Sequence, residues 1–180
     1  MKLVILSGPS GVGKTTIVEK LTLKPFIQKV VSYTTRQKRI CETEGEHYNF
    51  VSKSQFLQLK PQMIENNIIF ENYYGSVPEK TSLNVQILTI DPIGMLLVKK
   101  KHPVLSIFLK SSAQILKNRL YARKAETCVN FKARLNDSYK MNKYTKYYDY
   151  IIANNELTAT INIIEQIIIN YFKLSIDKNI

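Results

Sequence analysis

Cysteine is scarce in this chain of 180 residues, and the two present, Cys41 and Cys128, cannot make a disulfide framework. A reducing compartment is expected. Glycine and proline number only six each, which excludes a collagen-like repeat and a linker-rich or disordered chain. No stretch approaches the roughly 18 consecutive apolar residues of a membrane span. The apolar opening Leu3-Val4-Ile5-Leu6 stops at Ser7-Gly8, short of a signal-peptide core, so a cytoplasmic location with no membrane partner is expected. Acidic residues are also few, 14 against 26 Lys and Arg, giving a net charge of +12 that would attract a polyanion or a multiply charged small substrate. Lysine supplies most of that charge and is spread along the chain. Only Lys99-Lys100-Lys101 form a run and no nucleic-acid motif is present, so no nucleic-acid partner is expected. Arginine is the scarcest cation, at five positions: Arg36, Arg39, Arg119, Arg123 and Arg134. Lysine cannot copy the planar fork that arginine offers to phosphate, so all five are candidate site residues.

What is present, 44% hydrophobic and 22% charged residues, fits one compact domain with a real core. Residues 3–6 read as a buried strand ended by glycine, and Ile17, Val18 and Leu21 place one face of a helix over 14–23, closed by Pro25. Residues 30–35, 87–90, 104–109 and 151–153 read as further strands. Helical spacing recurs over 111–123, through Ala113, Leu116 and Leu120, and over 157–172, through Leu157, Ile161, Ile164, Ile168 and Tyr171. Strands alternating with helices predict an α/β fold with a parallel sheet flanked by helices. Between about 32 and 80 the pattern becomes short and rich in Tyr and Asn, which predicts a small mixed insert.

The stretch Gly8-Pro9-Ser10-Gly11-Val12-Gly13-Lys14-Thr15 matches G-x-x-x-x-G-K-[ST] and lies between the first strand and the first helix. Its glycines let backbone amides converge on phosphate, Lys14 bridges the terminal phosphates, and the Thr15 hydroxyl is a ligand for Mg²⁺. A nucleoside triphosphate is the expected ligand; the phosphoryl acceptor is not specified by this loop.

The acceptor is addressed by Ser32-Tyr33-Thr34-Thr35-Arg36, Arg39, Glu42, Gly45 and Tyr48-Asn49-Phe50-Val51, which gather arginines and hydroxyls suited to a second phosphate, followed by Glu65 and Asn72-Tyr73-Tyr74-Gly75-Ser76. With its GPSGxGK loop, VSxTTR segment, NYYGS stretch and the nine residues from Glu65 to Tyr74, the chain closely resembles the guanylate kinase family over most of its length. Leu116 to Arg123, like that family's LxxRLxxR lid helix, Arg134-Leu135 and Ile151-Ile152-Ala153-Asn154 extend the resemblance.

The resemblance implies one domain with a P-loop NTPase core (1–31, 81–110, 136–180), a GMP-binding insert (32–80) and a helical lid (111–135). It implies phosphorylation of GMP by ATP with Mg²⁺, by direct in-line transfer. ATP would be held by Gly8, Pro9, Ser10, Gly11, Val12, Gly13, Lys14, Thr15, Thr16 and Asn154. Ser32, Arg36, Arg39, Tyr48 and Tyr74 would hold the GMP phosphate, and Glu65, Ser76 and Asp91 would read guanine. Catalysis would fall to Lys14, Arg36, Arg119, Arg123 and Arg134, whose charges screen two anions brought together. A carboxylate at Glu65 suits guanine on chemical grounds too, since N1–H and the exocyclic amine both donate whereas adenine presents a lone pair at N1.

The chain departs from the family pattern at Thr89, where a carboxylate is usual, at Lys38 and Cys41 in the loop carrying Arg39, and at Lys124. The alternative reading is therefore a nucleotide-binding regulatory module of the same fold with weak catalysis; a kinase for another phosphorylated acceptor is disfavoured by Glu65 and Ser76. A monomer or homodimer is expected. His47 and His102 lack metal-ligand spacing, and Tyr144, Tyr147, Tyr148 and Tyr150 are expected to pack.

Overall fold

A computed structural model describes residues 1–40, 42–69, 71–80, 83–122 and 140–174. Its centre is strand β1 (Lys2–Ser7), whose successive side chains enter opposite layers of core. Val4 and Leu6 face Ile17, Val18 and Leu21 together with Ile164 and Ile168. Leu3 and Ile5 face Met95, Val98, Phe108 and Tyr148 on the other side. A strand buried on both faces has no reason to alternate with polar residues, which is why the sequence shows an unbroken apolar run.

Strands β2 (Ile27–Lys29), β3 (Tyr33–Thr34), β4 (Asn49–Phe50), β5 (Glu65–Ile69), β6 (Asn72–Ser76), β7 (Val85–Thr89), β8 (Leu105–Lys110) and β9 (Tyr150–Ala153) divide between two sheets. The larger has the order β2-β7-β1-β8-β9 and every pairing in it is parallel. The smaller has the order β4-β3-β6-β5, with β3 and β6 antiparallel and β5 and β6 forming a hairpin. Among the described residues the α-helices are α1 (Lys14–Leu21), α2 (Lys53–Leu59), α3 (Pro92–Lys99), α4 (Ala113–Ala122) and α5 (Leu157–Phe172).

Local chemistry explains the helix starts. Ser52 and Gln55 cap α2 reciprocally, Asp91 followed by Pro92 opens α3, and the Glu156 carboxylate accepts from Thr158 N and Ala159 N to open α5. Helix α1 differs. It begins at Gly13 in the left-handed region (φ 101°), and no side chain caps it.

Three expectations need correction. Residues 30–35 are not one strand: β2 ends at Lys29, Val30 N still donates to Ile87 O at 2.9 Å, and the chain then crosses to pair Tyr33 with Gly75 in the second sheet. The β-branched run hides this because both halves are extended. In α5 the buried positions are Thr160, Ile164 and Ile168, while Tyr171 is exposed; Thr160 is buried because its hydroxyl returns a hydrogen bond to Glu156 O at 2.7 Å. Of the four late tyrosines, Tyr148 is buried against Phe108 and Tyr144 packs beside that core, but Tyr147 and Tyr150 are exposed. The tight turn and the edge strand that carry them leave those two rings without a layer to enter.

Among the described residues no helix is long and apolar enough to cross a membrane.

Candidate active site

The loop between β1 and α1 lies at the carboxyl end of the parallel sheet, the edge where open α/β sheets bind ligands. Gly8, Gly11 and Gly13 all take positive φ there, which side chains resist. Two of them are also sterically committed. A Cβ on Gly8 would collide with the Leu109 carbonyl oxygen, and one on Gly13 would lie 2.6 Å from Asn154 Nδ2. Lys14 Nζ donates to Gly8 O at 2.6 Å and Pro9 O at 3.0 Å, so its ammonium lies across the mouth of the loop. Val12 N donates to Pro9 O, Ser10 and Thr16 are half-buried, and Thr15 is exposed on the first turn of α1. The arrangement combines uncapped amides, a helix N-terminus and a cation, all suited to a polyphosphate.

Asn154 and Arg119 hold this loop from outside. Asn154 is buried just past β9, and its Nδ2 donates to Val12 O at 2.7 Å. Arg119 Nη1 donates to the same carbonyl at 3.1 Å, and Nη2 to Asn154 O at 3.3 Å. Asn154 Oδ1 is buried with no hydrogen-bond partner, an acceptor available to a donor group of a ligand.

The second sheet gathers a basic and aromatic cluster. Arg36 Nη2 pairs with Glu42 Oε1 at 2.8 Å, and its guanidinium carbon lies 5.6 Å from the ring centroids of both Tyr48 and Phe50. Tyr48 and Tyr74 meet edge to face at 5.9 Å. Burial works against the charge of Arg36, yet hydrogen bonds and charge from Glu42 and Tyr74 outweigh it and keep its pKa above the ordinary value. Burial likewise works against the Glu42 carboxylate, and Arg36 with the Arg39 amide holds its pKa below the usual range. Arg39 itself is exposed, tied to Glu42 Oε2 by its backbone amide at 2.9 Å.

Glu65, Ser76 and Asp91 come together although they lie on β5, β6 and the start of α3. Glu65 faces Ser76 in the hairpin register, and Ser76 Oγ donates to Glu65 Oε1 at 2.7 Å. Glu65 is 7% exposed. Burial pushes its pKa up to about 7, Asp91 adds to the rise, and the Ser76 hydrogen bond opposes it. Asp91 Oδ1 is committed to the amides of Ile93 and Gly94, while Oδ2 lies 3.4 Å from Asn67 Nδ2. Ser32, expected to help hold the GMP phosphate, has its Oγ 2.8 Å from Ser76 Oγ.

Sequence reasoning missed the roles of Glu42, Phe50 and Asn67. Asn67 was within reach of it: as i+2 from Glu65 on a strand it must share Glu65's face, and only the lack of a strand reading over 65–69 hid it. Thr89 ends β7 half-buried beside Leu6 in the sheet register. Among the described residues no cluster of His, Cys, Asp and Glu is arranged for a metal. Arg123, Arg134, Cys41 and Cys128 lie outside the described residues.

A model of the guanylate kinase family matches residues 1–171. The guanylate kinase of Helicobacter pylori is 38% identical over 172 residues, spanning 90% of this chain and 84% of its own. That of Mycoplasmoides gallisepticum is 39% identical over 184 residues, spanning 94% and 92%. Among solved structures, guanylate kinase from Anaplasma phagocytophilum superposes with a TM-score of 0.74 at 29% identity, covering 95% of this chain and 85% of that one.

Proposed function

The chain belongs to the guanylate kinase family, whose activity is phosphorylation of GMP by ATP, and on that premise we propose how its residues divide the work. A phosphate oxygen of GMP attacks the γ-phosphorus of ATP in line. The new P–O bond forms as the bond to the β,γ-bridging oxygen breaks, leaving ADP and GDP with no covalent enzyme intermediate.

The donor is held by the loop Gly8 to Thr15, with Thr16 behind it. The uncapped amides at the start of α1 take the phosphates and Lys14 moves its charge from loop carbonyls to the terminal phosphates. Asn154 offers its unpaired Oδ1 to the donor nucleotide. Mg²⁺ would be held on the protein side at the Thr15 hydroxyl, beside the phosphate loop. The exposed Thr15 hydroxyl is a hard oxygen ligand and no acidic cage is present among the described residues. The ion would supply charge neutralisation to the donor polyphosphate.

The acceptor phosphate is taken by Arg36, with Tyr48 and Tyr74 flanking it and Arg39 at the rim. Its base is read by Glu65, Ser76 and Asp91. Arg119, which already grips the outer side of the loop, would join Arg123 and Arg134 in screening the two anions as a lid over 111–135 closes and excludes water.

The observation that carries this reading is the buried Glu65 carboxylate, oriented by Ser76. Ionised, it accepts two hydrogen bonds from guanine N1–H and the 2-amino group. Against adenine it meets a lone pair, a mismatch worth about 10²- to 10⁴-fold. A coupled assay of ADP release, with GMP, AMP, CMP, UMP and dTMP as acceptors, tests this. Turnover with GMP alone is expected, and Glu65→Gln should lower kcat/KM for GMP while leaving KM for ATP unchanged. Equal losses for both substrates would refute the role of Glu65. The regulatory-module reading has no comparable support, since the phosphate loop is intact.

A further inference from the structure

A serine hydroxyl has one proton, and in this site that limit fixes a direction. Ser76 spends its proton on Glu65 Oε1 at 2.7 Å. The 2.8 Å contact between Ser76 Oγ and Ser32 Oγ must then be donated by Ser32. The hydrogen bonds therefore run one way, from Ser32 to Ser76 to the carboxylate, and the proton that Ser32 would give a phosphate oxygen is already committed. Ser76 is wholly buried, so no solvent replaces the donor that Ser32 supplies.

We propose that Ser32 is a positioning residue for base recognition: by donating to Ser76 it orients the Ser76 hydroxyl onto Glu65 and favours the ionised carboxylate that guanine needs. This rests on the reading of Glu65 as the guanine selector. Chained hydrogen bonds polarise one another, so a donor to Ser76 makes Ser76 a better donor to Glu65. The groups around the Glu65 carboxylate make that help necessary. From α3 it faces Asp91, a like charge, and the backbone at Gly94; from β6 it faces Ser76. Asn67, on its own strand, donates to Asp91 and not to Glu65. Ser76 is thus the hydrogen-bond donor to Glu65 among the described residues, and Ser32 stands behind it.

Two competitive probes separate base from phosphate: guanosine, which lacks the phosphate, and ribose 5-phosphate, which lacks the base. Ser32→Ala should weaken inhibition by guanosine about three- to tenfold and leave ribose 5-phosphate unchanged. It should also move the pH at which KM for GMP improves upward, with KM for ATP unaltered as the check on folding. Ser32→Thr, which restores the hydroxyl, should recover both. The reverse result, ribose 5-phosphate weakened and guanosine unchanged, makes Ser32 a phosphate ligand and overturns the proposal, as does no change in either probe. Glu65→Gln separates the two levels. If it leaves guanosine binding intact, the base-reading assignment itself fails; if it weakens guanosine while Ser32→Ala does not, only the role of Ser32 fails.

Discussion

Asn154 and Val12 are 142 positions apart in the chain, yet the Asn154 side-chain amide donates to the Val12 carbonyl at 2.7 Å, and the same residue leaves no room for a Cβ on Gly13. The end of the last strand thereby fixes the shape of the phosphate loop. Asn154→Ala removes a buried donor and strands the Val12 carbonyl with Arg119 alone, which costs about 1–3 kcal/mol. The expected result is a KM for ATP raised about tenfold or more with KM for GMP little changed. Steady-state kinetics with each substrate varied in turn checks it, and equal effects on both would detach Asn154 from the donor site.

Lys14 lies against two loop carbonyls at 2.6 and 3.0 Å and has no role in the core. Lys14→Ala should therefore reduce kcat by about 10²-fold or more while circular dichroism and the urea midpoint stay near those of the parent. Retained turnover would remove Lys14 from the reaction.

Glu65 gives a pH signature with a definite sign. Its pKa rises to about 7 in the folded chain from an ordinary 4.5, so the folded state holds this proton more tightly than the unfolded one. Stability is then highest below pH 4.5 as far as this group is concerned, and about 3 kcal/mol is lost as pH climbs through 7. GMP binding runs the opposite way, because guanine requires the ionised form. KM for GMP should fall about tenfold between pH 6 and pH 8. Glu65→Gln should abolish both slopes; any slope that survives in the variant belongs to the phosphate of GMP.

Gly75 has ordinary strand geometry, and its need for glycine is steric. A Cβ there would collide with Met63 Sδ and lie 3.1 Å from Phe56. Gly75→Ala should destabilise the chain by about 1–3 kcal/mol in urea melts and raise KM for GMP by disturbing the strand that carries Tyr74 and Ser76. A neutral melt would show that Met63 moves aside freely.

The core was legible in the sequence because its central strands are buried on both faces, so that Leu3 to Leu6 and Val104 to Leu109 read directly as apolar runs; Ile151 to Ala153 reads the same way although, at the sheet edge, only Ile152 is buried. The phosphate loop was legible because glycine spacing encodes it. The second sheet was not, since β3 and β4 are two residues each and carry no periodicity to find. Helix α3 escaped because Leu96 and Leu97 adjoin its buried Met95 and Val98, leaving no polar stripe. Residues of the acceptor site were named through family resemblance; their pairings, such as Arg36 with Glu42, depend on loops whose folded path no local pattern records.

In the β5–β6 hairpin Glu65 stands opposite Ser76 and Asn66 opposite Gly75. A strand that paired one position out of step would turn Glu65 to the far face and present Asn66 to the pocket. Such a molecule would still fill its phosphate loop with ATP, yet it would be blind to guanine. Fidelity of folding and fidelity of substrate choice are thus a single event in this hairpin, and the fraction of a preparation that responds to GMP counts the chains that closed it correctly.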